Sequence, residues 1–183
     1  AILARYFAPF SNKQIAAAAD AAYAEYAAYH KAVQDRAQAY LAAAKQEKQP
    51  VVVLCGRPYH VDPEVSHGVD KLLCDLGAAV ITEDSISPLV TKFPAAVRNQ
   101  WTYHARMYAA AKYVAESPDD LHVVQLVSFG CGVDAVTTDE VRGILESAGK
   151  DYTQLKIDEI SNMGAASIRL RSLFAMLEEK KRM

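Results

Sequence analysis

The sequence predicts a wound α/β fold: a parallel sheet of about four strands with helices on both faces, flavodoxin- or Rossmann-like, preceded by one long helix. Three observations carry this expectation. Short apolar, β-branched runs recur along the chain, helical patterns separate them, and the connections between the two are short. An all-apolar strand is expected where helices cover both faces of a parallel sheet.

From about Ser11 to Lys48 the chain is rich in Ala and free of Gly and Pro, which favours a single helix. Tyr26, Tyr29, Val33, Ala37 and Tyr40 recur at helical spacing and mark a face that must pack on something. That face lies either on the domain that follows or on another part of a longer parent protein. Pro50 ends the segment, dividing the chain into a helical segment over residues 1–49 and an α/β domain over residues 50–183.

Val51 to Leu54 form the first expected strand. Val69, Leu72, Leu73 and Leu76 follow helical spacing, and Gly77 stops that helix. Ala78 to Ile81 make the second strand. A helix is expected from about Ala95 to Glu116, with Trp101, Ala105, Tyr108 and Ala109 on one face, and Ser117-Pro118-Asp119 breaks it. His122 to Val127 form the third strand. Thr137 and Glu140 have the spacing of a capping box, Val141, Ile144, Leu145 and Ala148 form a stripe, and Gly149 ends that helix. Tyr152 to Ile157 are the fourth strand. Ser161 and Asn162 can cap a last helix, in which Ala166, Leu170, Leu173 and Leu177 face inward. Lys180, Lys181 and Arg182 in its final turn suit the helix dipole.

Composition narrows the function classes. The 183 residues are 51% hydrophobic, enough for a substantial core in one domain. A formal charge of −2 gives no electrostatic reason to expect nucleic acid or a membrane surface as a partner. No apolar run is long enough to span a bilayer and no signal peptide opens the chain, so a cytoplasmic location is expected. Three widely spaced cysteines fit a reducing compartment better than a disulfide framework. The start at Ala1 suggests a piece of a longer protein.

In wound sheets, ligands bind beyond the carboxyl ends of the strands, where strand order reverses. With the order 2-1-3-4, the loops after strands one and three share a crevice. These are the most unusual stretches of the chain: Cys55-Gly56-Arg57-Pro58-Tyr59-His60 and Ser128-Phe129-Gly130-Cys131-Gly132. Gly130 and Gly132 would let backbone approach a ligand or adopt positive φ. A helix N-terminus near Asp134 would favour a thiolate at Cys131. Cys131 is a metal ligand, a nucleophile or a small residue in a tight turn; spacing alone does not choose. Cys55 and Cys74 read as core residues. No CxxC pair and no zinc-type spacing occurs, so a complete metal site within the chain is not expected.

Arg57 either clamps a carboxylate or phosphate or pairs with Glu83 or Asp84, and His60 could act as an acid near neutral pH. His67 reads as a local cap, Asp84 as an N-cap, and His104 and Trp101 as packing. A Walker lysine loop, a GxGxxG fingerprint and a nucleophile elbow are all missing, which counts against nucleotide or serine-hydrolase chemistry in this chain.

The same loops carry a resemblance. The run Gly56-Arg57-Pro58-Tyr59-His60 with Asp62-Pro63 and His67-Gly68, Thr82-Glu83-Asp84-Ser85, and Gln125 with Ser128 to Ala135 resemble one family. Gly149 to Thr153, Leu155 to Glu159, Gly164-Ala165 and Ile168 to Leu173 continue it. It is the family of acyl-CoA dehydratase activase-related proteins, activators of 2-hydroxyglutaryl-CoA dehydratase, and the resemblance covers about Val51 to Glu179. The N-terminal helix is less diagnostic.

The resemblance implies that this is the C-terminal, dehydratase-like domain of an iron–sulfur protein, itself not catalytic. The implied parent is an ATP-dependent activase or reductase that drives electrons toward a dehydratase-type acceptor. ATP would act only on upstream ATPase domains, and upstream cysteine-bearing domains would supply the other ligands of a [4Fe-4S] cluster. Cys131 matches the thiolate that completes that set, while Arg57, Tyr59, His60, Ser128, Gly130 and Gly132 surround the cofactor. Two alternatives stand beside this: an acyl-CoA or small-anion site using Arg57 and His60, and a docking module using the Tyr-lined helix.

Overall fold

A computed structural model describes residues 2–7, 9–128, 130, 132–157 and 163–182, without the side chains of Leu3 and Ala4. Phe129, Cys131, Asp158, Glu159, Ser161 and Asn162 lie outside the described residues.

Helix α1 (Ile2–Tyr6) precedes the long helix α2 (Asn12–Glu47). Ser11 caps α2 reciprocally with Gln14, and Lys48 closes it in the left-handed conformation at φ 55°. The alternation then follows: β1 (Val51–Cys55), the short α3 (Pro63–Ser66), α4 (Val69–Asp75), β2 (Ala79–Thr82), the one-turn α5 (Glu83–Ile86), α6 (Thr102–Glu116), β3 (Leu121–Val127), α7 (Gly132–Ser147), β4 (Tyr152–Lys156) and α8 (Gly164–Arg182).

The four strands form one parallel sheet in the order β2-β1-β3-β4. Val53, Cys55 and Val123 point to one face, where Ala37 and Ala44 of α2, Met107 and Ala111 of α6, and Val141 and Leu145 of α7 close over them. Val52, Leu54, Val124 and Leu126 point to the other, under Val69 and Leu73 of α4 and Leu170, Leu173 and Leu177 of α8. Period-two alternation within each strand therefore feeds two cores at once, which is why β1 reads as five apolar residues in a row. The order in which the chain adds strands reverses between β1 and β3, so the loops that follow these parallel neighbours emerge side by side.

The structure corrects several expectations. Helix α6 starts at Thr102 rather than near Ala95, because the Ala96 N–H is held by the Glu140 carboxylate at 2.9 Å and the preceding segment runs without helical bonds. Its buried face is led by His104, Met107 and Tyr108, while Trp101 stands at the N-cap and is exposed. Thr137 and Glu140 form no capping box: α7 begins at Gly132, and the Thr137 hydroxyl donates within the helix to the Val133 carbonyl at 2.8 Å. Cys74 is exposed on α4 rather than in the core; Cys55 is buried, as expected. Of the Tyr-marked face of α2, only Ala37 is buried, and Tyr26, Tyr29 and Tyr40 remain exposed.

Candidate functional site

The loop after β1 turns at once. Pro58 fixes φ at the start of a 3-10 turn over Pro58–Val61, which folds His60 back beneath the strand end. Gly56 permits this: a Cβ there would lie 2.5 Å from His60 Nδ1. The Arg57 backbone N–H donates to His60 Nδ1 at 3.0 Å. Nδ1 is thus the acceptor, and the proton of the neutral ring sits on Nε2, which donates to the Ser128 hydroxyl at 3.1 Å. Burial holds the His60 pKa below its ordinary value, the Arg57 cation adding to burial and Asp134 opposing it.

Ser128, buried directly after β3, is shared. The Tyr59 hydroxyl lies 2.9 Å from its Oγ, and Arg57 Nη1 donates to that Tyr59 hydroxyl at 3.3 Å. Arg57 Nη2 donates to Asp134 Oδ1 at 2.8 Å, reaching the first turn of α7. An acidic residue there also suits the positive end of the helix dipole. One hydrogen-bonded network, Arg57–Tyr59–His60 with Ser128 and Asp134, thereby binds the two loops into a single unit at the switch point.

The expected neighbours are brought together, with a change of partner. Arg57 pairs with Asp134, whereas Glu83 takes Arg106 at 2.6 Å; the expected pairing of Arg57 with Glu83 or Asp84 is corrected. Asp84 accepts from the Thr82 hydroxyl at 2.5 Å, and Thr82 rather than Asp84 occupies the N-cap of α5. His67 sits at the C-cap of α3 with φ 51°. Gly130 and Gly132 are exposed, and among the described residues a Cβ at either would meet nothing within 4 Å. Cys131, between them, lies outside the described residues.

Sequence reasoning missed two groups. Asp134 was read only as a helix start, and His104 as packing. His104 is buried beside Asp134, its Nε2 3.8 Å from Oδ1, and among the described residues neither of its ring nitrogens has a hydrogen-bond partner. No linear spacing joins residues from α6 and α7, so no signal in the sequence marked them.

Among the described residues, no three His, Cys, Asp or Glu side chains converge as a metal site. Cys55 points into the core at the end of β1, and Cys74 is on the outside of α4. The described residues therefore do not supply the ligand set of a cluster. No helix among them is long and apolar enough to cross a membrane.

Residues 2–86 match a family described as a CoA enzyme activase uncharacterised domain, DUF2229. No curated protein and no solved structure matches the chain. The matched stretch contains the long helix α2, which sequence reasoning held to be the less diagnostic part, and it runs through Pro50 without a break. It includes Arg57, Tyr59 and His60 and stops before Ser128. Over residues 2–86 the chain is thus similar to a CoA enzyme activase domain, in agreement with the activase-related resemblance of its loops.

Proposed function

We propose that this chain is the dehydratase-like part of a protein in ATP-driven electron transfer to 2-hydroxyacyl-CoA dehydratase-type enzymes, and that its β1 and β3 loops serve to present Cys131 as one thiolate toward a [4Fe-4S] cluster. ATP would be hydrolysed on other domains, and the remaining thiolates would come from outside this chain, since one thiolate does not hold a cluster. The cluster, when bound, supplies one-electron chemistry at low potential.

The observation that carries the reading is the state of Arg57 and His60. Both His60 ring nitrogens are engaged, one by the Arg57 backbone and one by Ser128. The Arg57 guanidinium is held by Asp134 and Tyr59. A residue that clamps a soluble anion needs its fork directed at the ligand, and a general acid needs its N–H within reach of substrate. Here both side chains are spent on tying Ser128 and the start of α7 to β1. This fits a support for the turn at Gly130 and Gly132 better than an acyl-CoA site. Outer groups that fix and polarise such a turn are the ones that tune a bound centre.

Two experiments test it. The intact parent protein, purified without oxygen, should show charge-transfer absorbance in the visible range that Cys131→Ser reduces. The 183-residue chain alone should give no heat on titration with CoA esters. Tight binding of a CoA ester that Arg57→Ala abolishes would replace this reading with the acyl-CoA site.

A further inference from the structure

The network that joins the β1 and β3 loops leaves a buried polar side chain beside it unused. His104 is 8% exposed, and among the described residues neither Nδ1 nor Nε2 has a hydrogen-bond partner. It stands in the first turn of α6 and shares the inward face of that helix with Met107 and Tyr108, three and four positions on. Its Nε2 lies 3.8 Å from Asp134 Oδ1, too far for a hydrogen bond, and that oxygen already accepts from Arg57. Asp134 Oδ2 is buried without a partner as well. Unmet buried polar atoms are costly, and packing alone would be served better by an apolar side chain.

Burial holds the His104 pKa below its ordinary value, the Arg57 cation adding to burial and Asp134 opposing it. The ring is therefore neutral at pH 7, with one N–H to give and one lone pair to fill. The carboxylate it faces belongs to the third residue of α7, a helix that begins at Gly132, one position after Cys131. The position just before a helix and the third position inside it are neighbours, which is the basis of reciprocal capping. His104 is thus directed at the end of α7 that Cys131 leads into.

We infer that His104 is a positioning residue for the cluster ligand, its ring N–H donating to the Cys131 sulfur when that sulfur is bound to iron. This role rests on the proposed ligation by Cys131 and goes past it, by assigning a group that sets the potential of the centre. The other polar groups of the crevice are committed elsewhere. Arg57 and His60 are engaged with Asp134, Tyr59, Ser128 and the Arg57 backbone. Arg106 has a buried Nε without a partner, but its guanidinium is anchored to Glu83 at the end of β2. Strand β1 lies between β2 and β3, so those two strand ends are about 10 Å apart. A neutral donor also adds no charge beside the Arg57–Asp134 pair. A hydrogen bond to a ligating sulfur favours the reduced, more negative cluster and so raises its potential.

The test compares the anaerobically purified parent protein with its His104→Phe and His104→Gln variants, reading iron per chain and the midpoint potential of the cluster. Phe fills the space of the imidazole without a donor, whereas Gln keeps an N–H. Equal iron is expected in all three. His104→Phe should shift the reduction equilibrium at least about tenfold toward the oxidised form, a fall of about 59 mV for one electron, and His104→Gln should recover at least half of that shift. A Phe variant with the native potential, a Phe variant that loses its iron, or a Gln variant no better than Phe would each overturn the role of His104 while leaving ligation by Cys131 in place. Equal iron in the parent and in Cys131→Ser would remove both.

Discussion

Arg57 and Asp134, 77 positions apart in the chain, meet at 2.8 Å across the gap between the ends of β1 and β3. The pair is partly screened on the arginine side, where 23% of the side chain remains accessible, and nearly sealed on the carboxylate side. It converts two loops that share only a sheet edge into one mechanical unit.

The first prediction follows from that unit. Asp134→Ala removes the carboxylate that accepts from Arg57 Nη2 and should cost about 2 kcal/mol in urea denaturation, below the 3–5 kcal/mol of a fully buried pair because Arg57 is partly solvated. A double-mutant cycle with Arg57→Ala should return a coupling of about 1 kcal/mol. The corresponding cycle between Arg57 and Glu83 should return none, since Glu83 is held by Arg106.

Gly56 gives the second. A methyl group at that position would sit 2.5 Å from His60 Nδ1, closer than any stable contact. Gly56→Ala should therefore push the ring away from the Arg57 N–H and cost about 1–3 kcal/mol. In the native chain, nitrogen NMR should find His60 neutral at pH 7 with its proton on Nε2. A proton on Nδ1 would contradict the acceptor role assigned to that atom.

The third concerns pH. Burial raises the Glu83 carboxyl from 4.5 to about 7, against the opposing pull of Arg106. The folded state then holds this proton more tightly than the unfolded chain does. The stability it contributes is complete below the unfolded value and is lost as pH rises to about 7, a change of about 3 kcal/mol. Thermal denaturation of the native chain should show this fall between those pH values, and Glu83→Gln should flatten it.

Much of the fold was legible because the strands are apolar on both faces and the helices end at glycines: Gly77 and Gly149 take φ of 93° and 70° at the turns where the sequence placed them. The strand order β2-β1-β3-β4 is the one on which the sequence reading of a shared crevice was conditioned. What failed did so where tertiary contacts override local pattern. The segment at Ala95 has helical composition, but Glu140 captures its backbone. Thr137 carries a capping spacing, but the helix was already running from Gly132. Cys74 looks apolar in context, but it falls on the outer face of α4. Within the site, Arg57, Tyr59, His60 and Ser128 were picked out by their loops. Their partner Asp134 and the buried His104 were not, because their proximity exists only once α6 and α7 are packed on the sheet.

The central claim is that the joined loops exist to offer the thiol of Cys131 to an iron–sulfur centre. Iron bound per chain, measured on the anaerobically purified parent protein and on its Cys131→Ser variant in parallel, tests it most directly. The account predicts that the serine variant loses iron while its fold survives. Equal iron in the two proteins would contradict it.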